Sequence, residues 1–477
     1  MKLKTYHTQI NLDLHTPVSA YLCLRDKYTG SLLLESSDHH SKEGNFSFIA
    51  CNPIATLKVE GSTLQLLKNN SLEIRNISQG SLEKELAEFV SSFETDKISV
   101  SFPYSAVFGY SSFDVIDLIE ENLSNSKESE IPAVNYSFYS LLLAFDHAKH
   151  QAHIVSFADT EKEAKLNALT ITQQLNSSTV SLNTFETVGE ISSTTTNEQY
   201  LELVQKAKHH CKVGDVFQLV LSRRFKQTFL GDEFNVYRCL KQINPSPYLF
   251  FFDMGSFKLF GSSPEAQLVV KDTMAEIHPI AGTYKRTGDE VQDHYLAQKL
   301  INDPKENSEH YMLVDLARND LSACCSDVKV ERFKELQFFS HVIHLVSKVT
   351  GKLKKGINGI DLLYRSFPAG TLSGAPKHKA MQLIRRYETE PRNFYGGCVG
   401  FIETNGNVNH AIMIRSFLSI QNELRFQAGA GIVIDSIPEN ELNEINHKTN
   451  ALKKAMKEAN KLNNIPTFTK DETLSTR

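Results

Sequence analysis

Four glutamates stand in two pairs of identical spacing, Glu306 with Glu309 in "KENSEHYMLVDLARND" and Glu441 with Glu444 in "PENELNEINHK". Residues three apart on a helix share a face, their Cβ atoms about 5–6 Å from each other, so each pair forces like charges together. Such pairs are ordinarily solvated helix faces. Here each is followed by a basic residue, His310 or Lys448. Oxygen ligands without Cys or His suit Mg2+, which keeps several waters and takes one or two carboxylates. A magnesium site shared by two helices is one reading; two helix faces that never meet is the other. Around these pairs lie stretches rich in glycine and hydroxyl groups: "IAGTYKRTG" (280–288), "FPAGTLSGAPK" (367–377), "FYGGCVGFIE" (394–403) and "QAGAGIV" (427–433). Glycines let a ligand approach the backbone and present N–H groups to anions. Their concentration in one half of the chain points to a pocket for an anionic ligand. Arg415, inside the apolar "AIMIRSFL", is expected to be paired or ligand-bound.

The elements that must hold these residues follow from patterning. Helices are expected at 289–302, 306–321, 359–366 and 438–461, and strands at 397–403, 411–419 and 424–427. Residues 1–175 read as short β-rich segments closed by a helical stretch, "TEKEAKLNALTITQQL". The Ser/Thr-rich segment 176–194 reads as a connector between lobes. A capping-box pattern, Thr195 with Glu198, then opens a second domain over 195–461, and 462–477 reads as a flexible tail. Strands grouped with strands favour an α+β class. A net charge of −5 offers no basic field for nucleic acid, and the longest apolar run, "YLFFF", is too short for a membrane span. Seven scattered cysteines without a C-x-x-C pair, and an N-terminus without an apolar signal run, fit a reduced, cytoplasmic protein.

"SSPEAQLVV", "HPIAGTYKRTG", "ENSEHYMLVDLARNDL", "FPAGTLSGAPK", "YGGCVGFIE" and "ENELNEINHK" occur in this order, and together they resemble the chorismate-utilising enzymes, in particular the anthranilate-forming, aminating members. The resemblance implies large antiparallel β-sheets forming a layered sandwich with helices outside. It implies that chorismate and ammonia become anthranilate and pyruvate, with Glu309 and Glu444 binding Mg2+ directly and Glu306 and Glu441 holding its waters. Glu265 matches the acid that protonates the leaving hydroxyl, a role that requires a raised pKa. His344 matches the histidine assisting pyruvate elimination, with His341 structural. Tyr395 and Arg415, aided by the N–H groups of Gly429 and Gly431, match the grip on the enolpyruvyl carboxylate. Gly282, Thr283, Thr371 and Lys448 line the ring-carboxylate side.

Two positions separate members of the family. Water-using relatives carry a lysine base where this chain has Gln218, and those that leave the amine at C4 carry a lysine where it has Ala281. Both residues favour direct amination at C2. Cys398 in "GGCVG" has the outline of a nucleophile elbow but no accompanying base, so ammonia is expected from a separate glutamine amidotransferase subunit (component II), in a heterodimer or heterotetramer. "LLLESS" and "NPSPYLF" resemble an L-tryptophan feedback site formed by Glu35, Ser36, Pro247, Tyr248 and Leu249. The alternatives are an aminodeoxychorismate-forming enzyme and an inactive tryptophan-sensing subunit.

Overall fold

The computed structural model describes residues 1–462 apart from 12–14, 37–44, 70, 121–122, 124–126, 178–179, 181 and 339–341. His341 and all but the first residue of the expected tail therefore lie outside the described residues. The strand Val134–Asp146 is buried along its whole length. Phe46–Glu60 pairs along one of its edges, and Ala106–Ser111 followed by Gln151–Ala158 along the other. Two antiparallel runs diverge from it. One passes from Phe46–Glu60 through Leu32–Glu35, Tyr248–Asp253, Phe257–Ser263, Ser416–Ile420 and Glu423–Ile432 to Gln218–Gly231 and Phe185–Ser193. The other passes from Ala106–Ser111 through Cys398–Glu403, Val408–Ile412, Ala266–Lys271 and Met274–Ile277 to Val342–Leu353, which also pairs with Ile280–Lys285 and Cys325–Phe338. One apolar core takes side chains from both runs. The architecture is the expected α+β sandwich.

Helices cover the outside for reasons written locally. In Gly359–Ser366 the Asn358 side chain accepts from the N–H groups of Ile360 and Asp361 at 2.8 and 3.0 Å, and Asp361 returns the bond, a complete capping box. Pro438–Lys461 starts with proline at its first turn, where the missing N–H costs nothing. Its buried face, Glu441, Ile445, Thr449, Leu452, Met456 and Ala459, recurs at three or four residues. That face lies on the strand Glu423–Ile432 and the helix Phe234–Ile243. Pro304–Cys324 covers the strands Ile280–Lys285 and Val342–Leu353.

Several expectations require correction. The segment 176–194 is not simply a connector, because Phe185–Ser193 is a strand paired with Gln218–Gly231. The capping box sits one residue later than expected, on Thr196 and Gln199. The strand expected over 424–427 runs from Glu423 to Ile432 because Gln218–Gly231 pairs with it throughout. The single strand expected over 411–419 is two, Val408–Ile412 and Ser416–Ile420, which belong to different runs. Arg415, at φ 49°, lies in the left-handed region at this crossing. The chain makes a second crossing between the same runs from Ser263 to Ala266, through Glu265. An acid and an arginine thus stand side by side on the seam of the sandwich.

Candidate active site

Backbone bonds fix the seam. The N–H of Ile412 donates to the Glu265 carbonyl at 3.0 Å, and that of Ser262 to the Arg415 carbonyl at 3.1 Å. The crossings approach so closely that a Cβ on Gly261 would lie 2.5 Å from the Ser416 Cβ, so glycine is required there. Thr371, in the short helix Gly370–Ser373, donates to Glu265 Oε1 at 3.3 Å. Burial drives the Glu265 carboxyl up to about 8 despite the opposing pull of Thr371, Lys448 and Arg415. Near neutral pH this group is mostly a proton donor. Burial pushes the Arg415 guanidinium in the opposite direction, lowering its pKa against the Coulombic pull of Glu265, and its Nη1 donates to Asn244 Oδ1 at 3.1 Å.

The strand Glu423–Ile432 supplies the next wall. A Cβ on Gly429 would lie 2.9 Å from the Tyr395 hydroxyl, and one on Gly431 would lie 2.3 Å from Gln218 Nε2. Both glycines make room for a polar tip that lies against the backbone. Gln218 and Ala281 are both buried, and neither supplies an amine. Lys448 donates to the Gly429 carbonyl at 2.9 Å and pairs with Glu444 Oε1 at 2.7 Å. The Lys448 side chain keeps 46% of its surface exposed; partial desolvation acts to lower its pKa, but Glu444, Tyr395 and Glu309 outweigh it, so the net shift is upward. Glu309 and Glu444, from helices more than a hundred residues apart in sequence, therefore act on one ammonium group. His310 does not play the cationic part its position suggested. It is buried, hydrogen-bonded to Ser347 at 2.5 Å, and lowered to about 4, hence neutral.

The third wall forms around a β-bulge between Ala281 and Thr283. Gly282 sits there at φ 73°, and an added Cβ would lie 2.6 Å from Leu300 Cδ1 and 3.0 Å from Glu306 Oε2. Only glycine fits both the angle and the space. The bulge turns the Gly282 carbonyl toward His344 Nδ1, 3.2 Å away. A carbonyl can only accept, so Nδ1 carries the proton and Nε2 is the basic nitrogen. Burial lowers this imidazole to about 4, leaving it neutral at pH 7. Thr283 lies opposite His344 in the ladder, but its side chain is outside the described residues.

The fourth glutamate, Glu441, is buried. Burial raises the Tyr200 hydroxyl well above its ordinary range, and Glu441 and Glu444 add to that. Among the described residues no three His, Cys, Asp or Glu side chains gather closely enough to hold a metal ion as they stand. Cys398 is buried and held protonated, its thiol raised to about 12, which excludes a nucleophile. Glu388 and Arg392, which brace this region from behind, were not singled out by sequence reasoning. The only hint is their i,i+4 spacing in "ETEPR".

The residues expected to form an inhibitor site are also brought together. Glu35, Ser36, Pro247, Tyr248 and Leu249 line one cavity of about 260 Å³ with Phe46, Phe48 and Phe401. Leu249 lies opposite Glu35 in the ladder, and Tyr248 opposite Ser263, two residues before Glu265. Glu35 is already engaged by Lys241 and by the Tyr237 hydroxyl at 2.6 Å. An incoming ammonium group would meet a carboxylate whose charge is largely compensated.

The chain belongs to the chorismate binding enzyme family, whose match spans residues 31–454. Its particular relatives include anthranilate synthase component 1 of Bacillus subtilis (strain 168), 37% identical over 474 residues, covering 93% of this chain and 90% of the relative. Its counterpart from Aquifex aeolicus (strain VF5) is 36% identical over 470 residues, covering 94% of each chain. The crystal structure of anthranilate synthase component I from Streptococcus pneumoniae TIGR4 superposes with a TM-score of 0.77 at 30% identity, over 93% of this chain and 98% of that one. The menaquinone-specific isochorismate synthase from Escherichia coli shares the fold, with a TM-score of 0.72 at 17% identity over 95% of this chain and 94% of that one. Among the described residues no helix is long and apolar enough to cross a membrane.

Proposed function

We propose that this enzyme converts chorismate and ammonia to anthranilate, pyruvate and water in the cytoplasm, with ammonia supplied from glutamine by an amidotransferase partner. The observation that carries the reading is Glu265, a carboxyl raised to about 8 with Arg415 and Lys448 as its cationic neighbours. A dianionic substrate needs those cations, and a departing hydroxide needs that proton. Arg415, Tyr395 and the Gly429–Gly431 backbone hold the enolpyruvyl carboxylate, while Lys448, Thr371 and the backbone of Gly282 and Thr283 line the ring-carboxylate side. As ammonia forms its bond at C2 and the ring double bonds shift, Glu265 passes its proton to the C4 oxygen, which leaves as water. His344 Nε2 then takes the C2 proton as the C3–O bond breaks, leaving an aromatic ring, and the departing enolate takes up a proton at its methylene carbon to become pyruvate. Buried Gln218 and Ala281 offer no amine to activate water or to attack C4, which supports amination at C2.

The carboxylates of Glu309 and Glu444, which share Lys448 as a neighbour, are oxygen donors suited to a hard cation that retains waters, and in this reading Glu306 and Glu441 hold those waters. When bound there, Mg2+ would neutralise the ring carboxylate as template and Lewis acid. We assign residues 195–461 as the catalytic part and 1–175 as the regulatory part. In this reading the cavity at Glu35, Ser36 and Pro247–Leu249 binds L-tryptophan, which inhibits the enzyme. Purified protein given chorismate, Mg2+ and ammonium should form anthranilate, read by its fluorescence. Formation of 4-amino-4-deoxychorismate or isochorismate, or tryptophan binding without turnover, would reject the proposal.

A further inference from the structure

Arg392 is 1% exposed and has the largest fully buried side chain among the described residues. Its Nε and Nη2 donate to the two oxygens of Glu388 at 2.8 and 2.7 Å. Nη1 donates to the Leu372 carbonyl at 2.6 Å, and Nη2 also donates to the Val220 carbonyl at 2.8 Å. Glu388 Oε1 accepts in addition from the N–H and the hydroxyl of Ser222, both at 2.8 Å. The Arg392 carbonyl accepts the N–H of Tyr395 at 3.1 Å, and the guanidinium carbon lies 5.7 Å from the centre of the Tyr395 ring.

A buried ion pair is seldom the most stable filling for its space, because desolvation consumes most of the Coulombic gain. Its partners suggest a different role. Leu372 follows Thr371, Val220 lies opposite Gly431 and Ser222 lies opposite Gly429. Every backbone segment that the pair grips thus carries, or is in register with, a residue of the candidate site. We infer that Arg392 and Glu388 form a positioning pair, which touches no substrate but sets Tyr395, Thr371 and the Gly429–Gly431 backbone at the spacing a substrate carboxylate requires. The inference rests on the proposed role of Tyr395 as a carboxylate ligand. Lysine cannot replace the arginine, since a single ammonium does not span a carboxylate and two carbonyls in one plane.

The test compares Arg392→Lys, the isosteric Glu388→Gln and Tyr395→Phe, singly and in pairs with Tyr395→Phe. Each is assayed with ammonium as nitrogen source at a temperature well below its own melting point. Glu388→Gln keeps size and shape, so it remains informative if Arg392→Lys does not fold. We expect the chorismate KM of Glu388→Gln to rise about tenfold while kcat stays within about threefold, the size of effect typical when a supporting partner is lost. In the Tyr395→Phe background the same change should raise KM by clearly less than about tenfold, because the part of the pair's effect that runs through the Tyr395 hydroxyl is already lost while the parts through Thr371 and the Gly429–Gly431 backbone remain. A purely structural pair would lower the melting point and leave that non-additivity absent. An unchanged KM in folded Glu388→Gln, or full additivity with Tyr395→Phe, overturns the inference alone. An unchanged KM in Tyr395→Phe itself overturns the assignment of Tyr395 and the inference with it.

Discussion

Replacing Glu265 with glutamine removes one proton and leaves the shape of the site almost intact. With a pKa of about 8 against an unshifted 4.5, the carboxyl is about nine-tenths protonated at pH 7, whereas the unshifted group would be protonated about once in 300 molecules. Burial thus enriches the acid form roughly 290-fold. Loss of a general acid costs about 10² to 10⁴ in rate, equivalent to ~2.7–5.4 kcal/mol of barrier. The assay is anthranilate fluorescence from pH 5.5 to 9.5, with total ammonium adjusted so that free ammonia stays constant. The parent enzyme should lose activity about tenfold per pH unit above roughly pH 8, and Glu265→Gln should be slow and flat across that limb. Thr371 donates to Glu265 and holds its pKa down, so Thr371→Val should move the limb to higher pH. Stability should respond with the opposite benefit. The carboxyl keeps its proton to about pH 8 when folded but only to about 4.5 when unfolded. Ionisation therefore favours unfolding from about pH 4.5 upward, and the cost is complete above pH 8. Glu265→Gln should melt higher than the parent at pH 8.5 and close to it at pH 4.5. A parent rate that stays level through pH 9.5, or a Glu265→Gln enzyme within tenfold of the parent, would refute the acid role.

Three further outcomes are expected. Glu309→Gln and Glu444→Gln should each shift the Mg2+ concentration for half-maximal activity upward by about tenfold or more, and an unmoved titration removes that residue as a ligand. His344→Ala should slow pyruvate release more than amination, so that an aminated, non-aromatic intermediate accumulates in quenched samples analysed by mass spectrometry. A fall in turnover with no such species argues against its role as base. Ser36→Ala should weaken L-tryptophan inhibition by about tenfold while kcat at saturating chorismate stays within twofold, and an unchanged inhibition curve places the regulatory site elsewhere.

Much of this was legible where a residue's role is decided by its neighbours in sequence. The helices expected from 359 and from 438 begin at Gly359 and Pro438, because the residues that start a helix lie beside it in sequence. The same logic slipped by one residue at "TTTNEQ", where Thr195 with Glu198 and Thr196 with Gln199 both satisfy the pattern, and tertiary packing chose the second. The break at Arg415 was hidden because "AIMIRSFL" is apolar on both sides of Arg415 and Ser416, and a left-handed arginine leaves no compositional trace. The same is true of Phe185–Ser193, whose polar residues suit an edge strand as well as a loop. The motifs named Glu265, His344 and the glutamate pairs by resemblance. They did not reveal that the acid and Arg415 stand at adjacent crossings, or that Glu309 and Glu444 share Lys448. Glu388 and Arg392 lie in "ETEPR" with nothing beyond their i,i+4 spacing to distinguish them. Their burial is fixed by strands 160 or more residues away in sequence, beyond the reach of any local pattern.

On the proposed reading of the Glu35–Ser36 cavity, the ladder that joins Tyr248 to Ser263 has a practical consequence for anyone wishing to make the enzyme deaf to L-tryptophan. A substitution at Tyr248 or Pro247 disturbs the hairpin that leads directly into the acid, so release from feedback there should come with impaired chemistry. Ser36 borders the same cavity just past the end of the neighbouring strand Leu32–Glu35, outside that hairpin, so on that reading changes there should offer the cleaner route to an overproducing strain.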